Sequence, residues 1–321
     1  MHEKEMLTIV EALTLQPTAP FREDAVRTEI EAQLVQCPHV DFERDDFGNV
    51  IAHFRLGRSS APVWALAAHM DHPGWVETED GEMKFLGSVA EEFRQNPKMK
   101  AFGEFAMWDL APFEIRERQI HSRACDDLLG CAEILCVFRE LEERKAKAHC
   151  IGLFTRAEEV GFVGAIKLAQ AKILPTDVTI LSLETSTPRG TAEIGKGPIV
   201  RVGDKVSSFD DVATARLLSA AAEEKIPVQR CLLDGGTCEA TAYQLYGYTC
   251  AAASLALGNY HNVTPDRTIA EEFVSIDDFK GMVRLCLATI LRHGEANDPQ
   301  AILRKKLEEN AQSYQGFWSR L

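Results

Sequence analysis

Apolar residues recur at helical spacing at the start of the chain and at strand spacing soon after. Met6, Ile9, Val10 and Leu13 share one helical face. After a break at Thr18-Ala-Pro-Phe, residues Ala25, Ile30 and Leu34 mark a second helix. Residues 40–54 alternate in polarity around a turn-forming stretch at 45–49, which predicts a hairpin. Residues 61–68 (APVWALAA) are a short apolar run, which predicts a buried strand. Over 127–144, Leu128, Cys131, Leu135, Phe138 and Leu141 recur at three- and four-residue spacing, an amphipathic helix. Strands predicted at 150–154, 178–183, 228–233 and 249–257 then alternate with helices at 163–171, 211–223, 240–246 and 276–292. Residues 298–321 read as one more amphipathic helix, a cap on the domain in preference to an oligomer contact.

Apolar strands alternating with helices predict an α/β fold, with a mostly parallel central sheet covered on both faces. Residues 73–121 break that rhythm and read as a small inserted β-rich subdomain. The expected organisation is a discontinuous main domain, 1–72 and 122–321, interrupted by 73–121.

Composition narrows the classes. Of 321 residues, 45% are hydrophobic and 26% charged, as in globular proteins. Lys and Arg number 35 against 49 Asp and Glu, a formal net charge of −14. That balance argues against nucleic acid and against anionic membrane surfaces as partners. Residues 240–263 carry no Asp, Glu, Lys or Arg, but Tyr243, Gln244, Tyr246, Gly247, Gly258 and Asn259 interrupt them. A buried helix followed by a buried strand is expected there, not a membrane span. The first residues lack a basic flank and apolar core, so no signal peptide is expected. Nine cysteines with no CxxC pair read as reduced thiols of a cytoplasmic protein.

In an open α/β sheet, ligands bind beyond the carboxyl ends of the strands. Those ends offer His69-Met-Asp71, Arg156-Ala-Glu158-Glu159-Val-Gly161, Glu184-Thr-Ser186 and Gly258-Asn-Tyr-His261. Asp126 and Asp127 open the helix at 127–144. Each alone has a plain structural reading: a hydrogen-bonded His, a solvated Glu pair, an Asp N-cap, a Glu184–Arg189 salt bridge. Jointly, two imidazoles and several carboxylates at one sheet edge would form a mixed N/O cage suited to zinc or a related divalent metal. Asp71, two residues beyond His69, has the spacing to orient the ring through its second nitrogen. No GxSxG, GxxxxGK[ST] or HExxH pattern occurs. Gly195-Lys-Gly197-Pro198 does not open a helix and is a poor dinucleotide loop. Cys125 reads as a buried structural thiol in preference to a nucleophile.

At these residues the chain resembles the cytoplasmic metalloaminopeptidases of the TET, deblocking and glutamyl aminopeptidase type. More distantly it resembles the dinuclear zinc aminopeptidases and carboxypeptidases. The motifs are DDFGNVIA, AAHMDHPGW, ACDDLLG, TRAEEVGFVGA, IGKGPIVRVGD, DGGTCEATAYQ and GNYHNV, in order along nearly the whole chain. The resemblance implies two divalent metal ions, zinc favoured, with cobalt or manganese fitting the same ligands. Asp126 would bridge them, His69 and Glu184 would complete one, and Glu159 and His261 the other. Glu158 would be the general base, and Asp71 would orient His69. The main domain would be the catalytic metallopeptidase domain, its partner a peptide substrate, its assembly a homo-oligomer.

The chain departs from the family pattern at Leu128, usually Arg, and at Cys238, usually Asp. It also departs at Glu184, usually Asp in aminopeptidases, and in the short insert. The expected activity is removal of N-terminal residues from peptides. Glu184 keeps open a carboxypeptidase, dipeptidase or N-acyl amide deacylase, and Leu128 and Cys238 keep open a non-catalytic binding protein.

Overall fold

The computed structural model describes residues 1–57, 64–95, 97–291 and 299–318. Helices α1 (Glu3–Thr14) and α2 (Asp24–Leu34) lead into the hairpin β1 (Val40–Arg44) and β2 (Val50–Leu56), then β3 (Trp64–His69). The inserted stretch holds β4 (Gly74–Glu77), β5 (Met83–Leu86), α3 (Glu91–Arg94), β6 (Met99–Ala101), β7 (Phe105–Trp108), β8 (Glu114–Arg116) and β9 (Gln119–Ser122). Then follow α4 (Leu128–Glu143), β10 (Ala148–Thr155), α5 (Val163–Ala171), β11 (Thr179–Ser186) and β12 (Ile199–Gly203). The chain continues as α6 (Asp211–Glu223), β13 (Gln229–Leu232), α7 (Glu239–Leu245), β14 (Thr249–Ala256), β15 (Glu272–Ser275), α8 (Ile276–Leu291), α9 (Pro299–Gln312) and α10 (Gln315–Trp318).

The main sheet has eight strands in the order β1-β2-β10-β3-β11-β14-β12-β13. Its four middle strands, β10, β3, β11 and β14, run parallel. They are buried along nearly their whole length, as strands covered on both faces require. One face packs on α1, α2, α4, α6 and α8, the other on α5 and α7. Gly152 of β10 lets α4 approach closely: a Cβ there would lie 2.7 Å from Ile134 and 2.9 Å from Phe138.

The expected helices and strands are present, with specific differences. In α2 the buried position is Val26, with Ala25 half-buried. Strand β12 is additional, because Arg201 breaks its apolar run and glycines flank it. The tail is two helices, split by a turn near Ser313. Residues 61–63, Arg292, Asp298 and 319–321 of the expected elements lie outside the described residues. Residues 240–263 form α7, β14 and the turn after it, and no described helix is long and apolar enough to cross a membrane.

The inserted stretch builds two antiparallel sheets. One has the order β5-β4-β7-β6 around Trp75, Phe85 and Trp108, with the Trp rings packed edge-on at 4.6 Å. The other, β15-β9-β8, recruits β15 from the C-terminal half, so it joins the insert to the strand that precedes α8.

Candidate metal centre

The carboxyl edge of the parallel strands gathers the chemistry. His69 ends β3, and Glu184 stands two residues before the end of β11. The loop after β10 presents Glu158 and Glu159. A single 3₁₀ turn after β14, Tyr260–Asn262, presents His261. Asp126 precedes α4; Asp127 takes the N-cap position, and its side chain makes no capping bond.

Asp126 lies between two imidazoles. Its Oδ1 is 3.4 Å from His69 Nε2, and its Oδ2 is 3.6 Å from His261 Nε2. His261 Nε2 is 3.2 Å from Glu159 Oε2, and His69 Nε2 is 3.8 Å from Glu158 Oε2. Ligating atoms of His69, Asp126 and Glu159 lie within 4.8 Å of one another, as do those of His69, Glu158 and Glu184. All six side chains therefore converge. Asp126 Oδ1, Glu159 Oε1 and His261 Nε2 are buried without a hydrogen-bond partner. Such orphaned atoms in a mixed imidazole and carboxylate set fit a divalent cation.

The electrostatics agree. Burial alone would lower the pKa of His69, but the carboxylates of Glu158, Asp126 and Asp71 outweigh it and hold the ring well above its usual value. His261 is likewise held up, against burial, by Glu159 and Asp126. Burial would raise Asp126, yet the two imidazoles pull it below the ordinary carboxylate range. Burial raises Glu158 well above that range, helped by Glu159, Glu184 and Asp71. Glu184 is raised by burial too, with His69 and Arg201 opposing. Several acids this close repel one another unless a cation sits among them.

The loop carrying the two glutamates is held through its backbone. Four consecutive amides donate to side chains from elsewhere: Arg156 to Asn49 Oδ1 at 3.0 Å, Ala157 to Glu23 Oε1 at 3.0 Å, Glu158 to Asp71 Oδ1 at 2.9 Å and Glu159 to Asp71 Oδ2 at 3.1 Å. Within this loop Ala157 and Phe162 take left-handed conformations, φ 54° and 59°. Asp71 also meets His69, but through its backbone carbonyl, 3.1 Å from Nδ1, with its carboxylate 3.6 Å away. Second nitrogens are thus fixed on both rings, since His261 Nδ1 lies 3.1 Å from the Ser88 carbonyl.

Other sequence candidates resolve differently. Glu184 accepts the Ser182 hydroxyl at 2.9 Å. The amides of Gly195 and Gly197 are taken by Asp278, at 2.6 and 2.7 Å, which leaves no anion cradle there. Burial pushes the Cys125 thiol well up, with Glu272 and Asp126 adding to it, which suits a structural residue. Leu128 is core, and Cys238 is buried at the start of α7. Beside the ligand cluster lies an open cleft lined by Thr185, Arg189, Arg201, Gly235, Thr237 and Tyr260. Tyr260 stacks on His261 with ring centroids 3.7 Å apart.

Sequence reasoning missed Glu23, Asn49, His72 and Glu272, all buried beside the site.

Imidazoles and carboxylates converge at the carboxyl edge of an open α/β sheet in groups that could hold a divalent metal. The chain belongs to the M42 glutamyl aminopeptidase family, whose sequence model matches residues 89–285, and it is accordingly a metallopeptidase of aminopeptidase type. Solved structures share the fold at low identity. An aminopeptidase of the archaeon Desulfurococcus kamchatkensis is 21% identical with a TM-score of 0.75, over 93% of this chain and 96% of that one. The TET1 peptidase of Pyrococcus horikoshii, which can assemble into a tetrahedron or a large octahedral shell, is 19% identical with a TM-score of 0.74, over 89% and 99%. The aminopeptidase PepT of Bacillus cereus is 13% identical with a TM-score of 0.64, over 91% and 98%.

Proposed function

We propose that the chain releases N-terminal residues from peptides at a two-metal centre, zinc favoured, held by His69, Asp126, Glu159, Glu184 and His261. Asp126 would be shared between the ions, with His69 and Glu184 holding one and Glu159 and His261 the other. The observation that carries this reading is the Asp126 carboxylate, which turns one oxygen to each imidazole. Bound cations would supply Lewis acidity, polarising the scissile carbonyl and acidifying water.

The remaining work falls to side chains. Glu158 takes a proton at its carboxylate and returns it to the leaving nitrogen, which must depart as a neutral amine. Asp71 holds the amides of Glu158 and Glu159 and so fixes the base relative to His69.

We further propose a catalytic domain of 1–72 and 122–321 with the insert 73–121, a homo-oligomeric assembly like the Pyrococcus horikoshii relative, and a cytoplasmic location. All nine cysteines are free thiols, as a reducing compartment would keep them.

Mass spectrometry of a mixed peptide pool, incubated with the zinc-loaded protein, tests the activity. Ladders shortened only from free amino ends are expected, with N-acetylated versions left intact. Trimming from carboxyl ends, removal of the acetyl cap, or no cleavage with zinc bound would each overturn the reading.

A further inference from the structure

Asp126 and His261 stand 135 positions apart in the sequence, yet one buried carboxylate touches the backbone of both segments. Glu272 Oε2 accepts the Cys125 amide at 2.7 Å and the Asp126 amide at 3.0 Å. Its Oε1 accepts the His261 amide at 2.8 Å. Glu272 is fully buried at the start of β15, where it pairs with Ser122 of β9, the strand leading into Asp126. The next residue, Phe273, exchanges two backbone hydrogen bonds with Gly258, at 2.9 and 3.2 Å. Its ring fills the space a Cβ at Gly258 would need. A second tie runs alongside: His72 Nδ1 lies 2.7 Å from the Asp126 carbonyl and its Nε2 lies 3.1 Å from Asn262 Oδ1.

The His261 turn needs such a hold. Asn259, His261 and Asn262 have φ of 55°, 54° and 66°, left-handed conformations that cost free energy at non-glycine residues. Without the Glu272 acceptor the turn would lose the bond that sets the height of the His261 ring above Asp126.

We infer that Glu272 is a positioning residue that sets the spacing between Asp126 and His261, and so governs the affinity of the ion those two side chains share. The inference rests on the ligand assignment above. It makes a directional claim, because the three amides divide unevenly between the two oxygens. In Glu272→Gln, the amide oxygen can keep the Cys125 and Asp126 donors, but the new NH₂ then faces the His261 N–H. The His261 arm is lost and the Asp126 arm survives.

The test is zinc binding to the full-length protein by competition with a chromophoric chelator, with turnover followed as zinc is raised. Glu272→Gln should weaken one zinc by about 10- to 100-fold, the scale for groups that orient ligands, and leave the other within about 3-fold. Its turnover should recover at high zinc. Glu272→Asp, which keeps the charge on a shorter arm, should weaken the same zinc less; it also serves if the Gln variant does not fold. Unchanged affinity for both ions, or an equal loss of both, would overturn the inference. His261→Ala is the control for the ligand assignment itself. If that variant binds both ions as tightly as the parent, the assignment fails and the inference falls with it.

Discussion

Single side chains at this site act in two ways, and the two differ in how visible they are in sequence. His69, Glu158, Glu159, Glu184 and His261 were legible because each ends or follows an apolar strand, where chemistry collects in α/β sheets. Glu23, Asn49 and Glu272 were not, because each ties down a backbone amide more than a hundred positions away. Nothing local in a sequence announces a bond of that kind. Asp71 belongs to both groups: its spacing from His69 singled it out, but its carboxylate serves the glutamate loop. The proposed base gives the clearest prediction at this scale. Glu158→Gln should keep its zinc and lose at least about 100-fold in kcat, the usual lower bound for a proton-transfer group. Full activity in that variant, with zinc content measured alongside, would remove Glu158 from the role.

Among the elements, the buried strands and amphipathic helices were readable because their periodicity is set by burial. Strand β12 was not, since Arg201 sits in it and glycines border it. The break between α9 and α10 left no mark in a polar, largely exposed stretch. Close packing of β10 on α4 makes Gly152→Ala a sharp test of the core. The added methyl meets Ile134 and Phe138 with little room to move. Overpacking of this kind costs about 1–3 kcal/mol, read as a lower urea midpoint with unchanged slope; an unshifted midpoint would show that α4 yields more easily than its burial implies.

Three elements also meet in an ion-pair cluster. Glu3 of α1 bonds Arg118, from the turn between β8 and β9, at 3.1 Å, and Lys280 of α8 at 2.7 Å. Arg118 first, then Lys280, pulls the Glu3 pKa from its ordinary 4.5 to about 2. A carboxyl with a depressed folded pKa adds stability above the unfolded value and loses it as pH falls. Glu3→Gln should therefore be slightly less stable than the parent at neutral pH, and the gap should close between about pH 4.5 and 2. Thermal unfolding curves that stay equally separated across that range would contradict this. The effect is small because the pairs are partly solvated.

For the molecule as a whole, the centre is a set of repelling acids inside a chain of net charge −14. Removing metal with a chelator should lower the melting temperature by several degrees, through the lost binding free energy, and readdition of zinc should restore it. A melting temperature indifferent to chelation would mean that no structural cation binds.

The proposed ligands are also scattered along the chain, from His69 to His261, with Glu272 further on. Long loops must close before any two of them meet, and such closures come late in folding. A fragment ending before β15 would hold all five proposed ligands but lack Glu272. A bound cation would therefore find its full set of ligands only late in folding. It would act chiefly as a latch, lowering the rate at which a completed molecule reopens, so resistance to unfolding, more than speed of folding, should follow the metal supply.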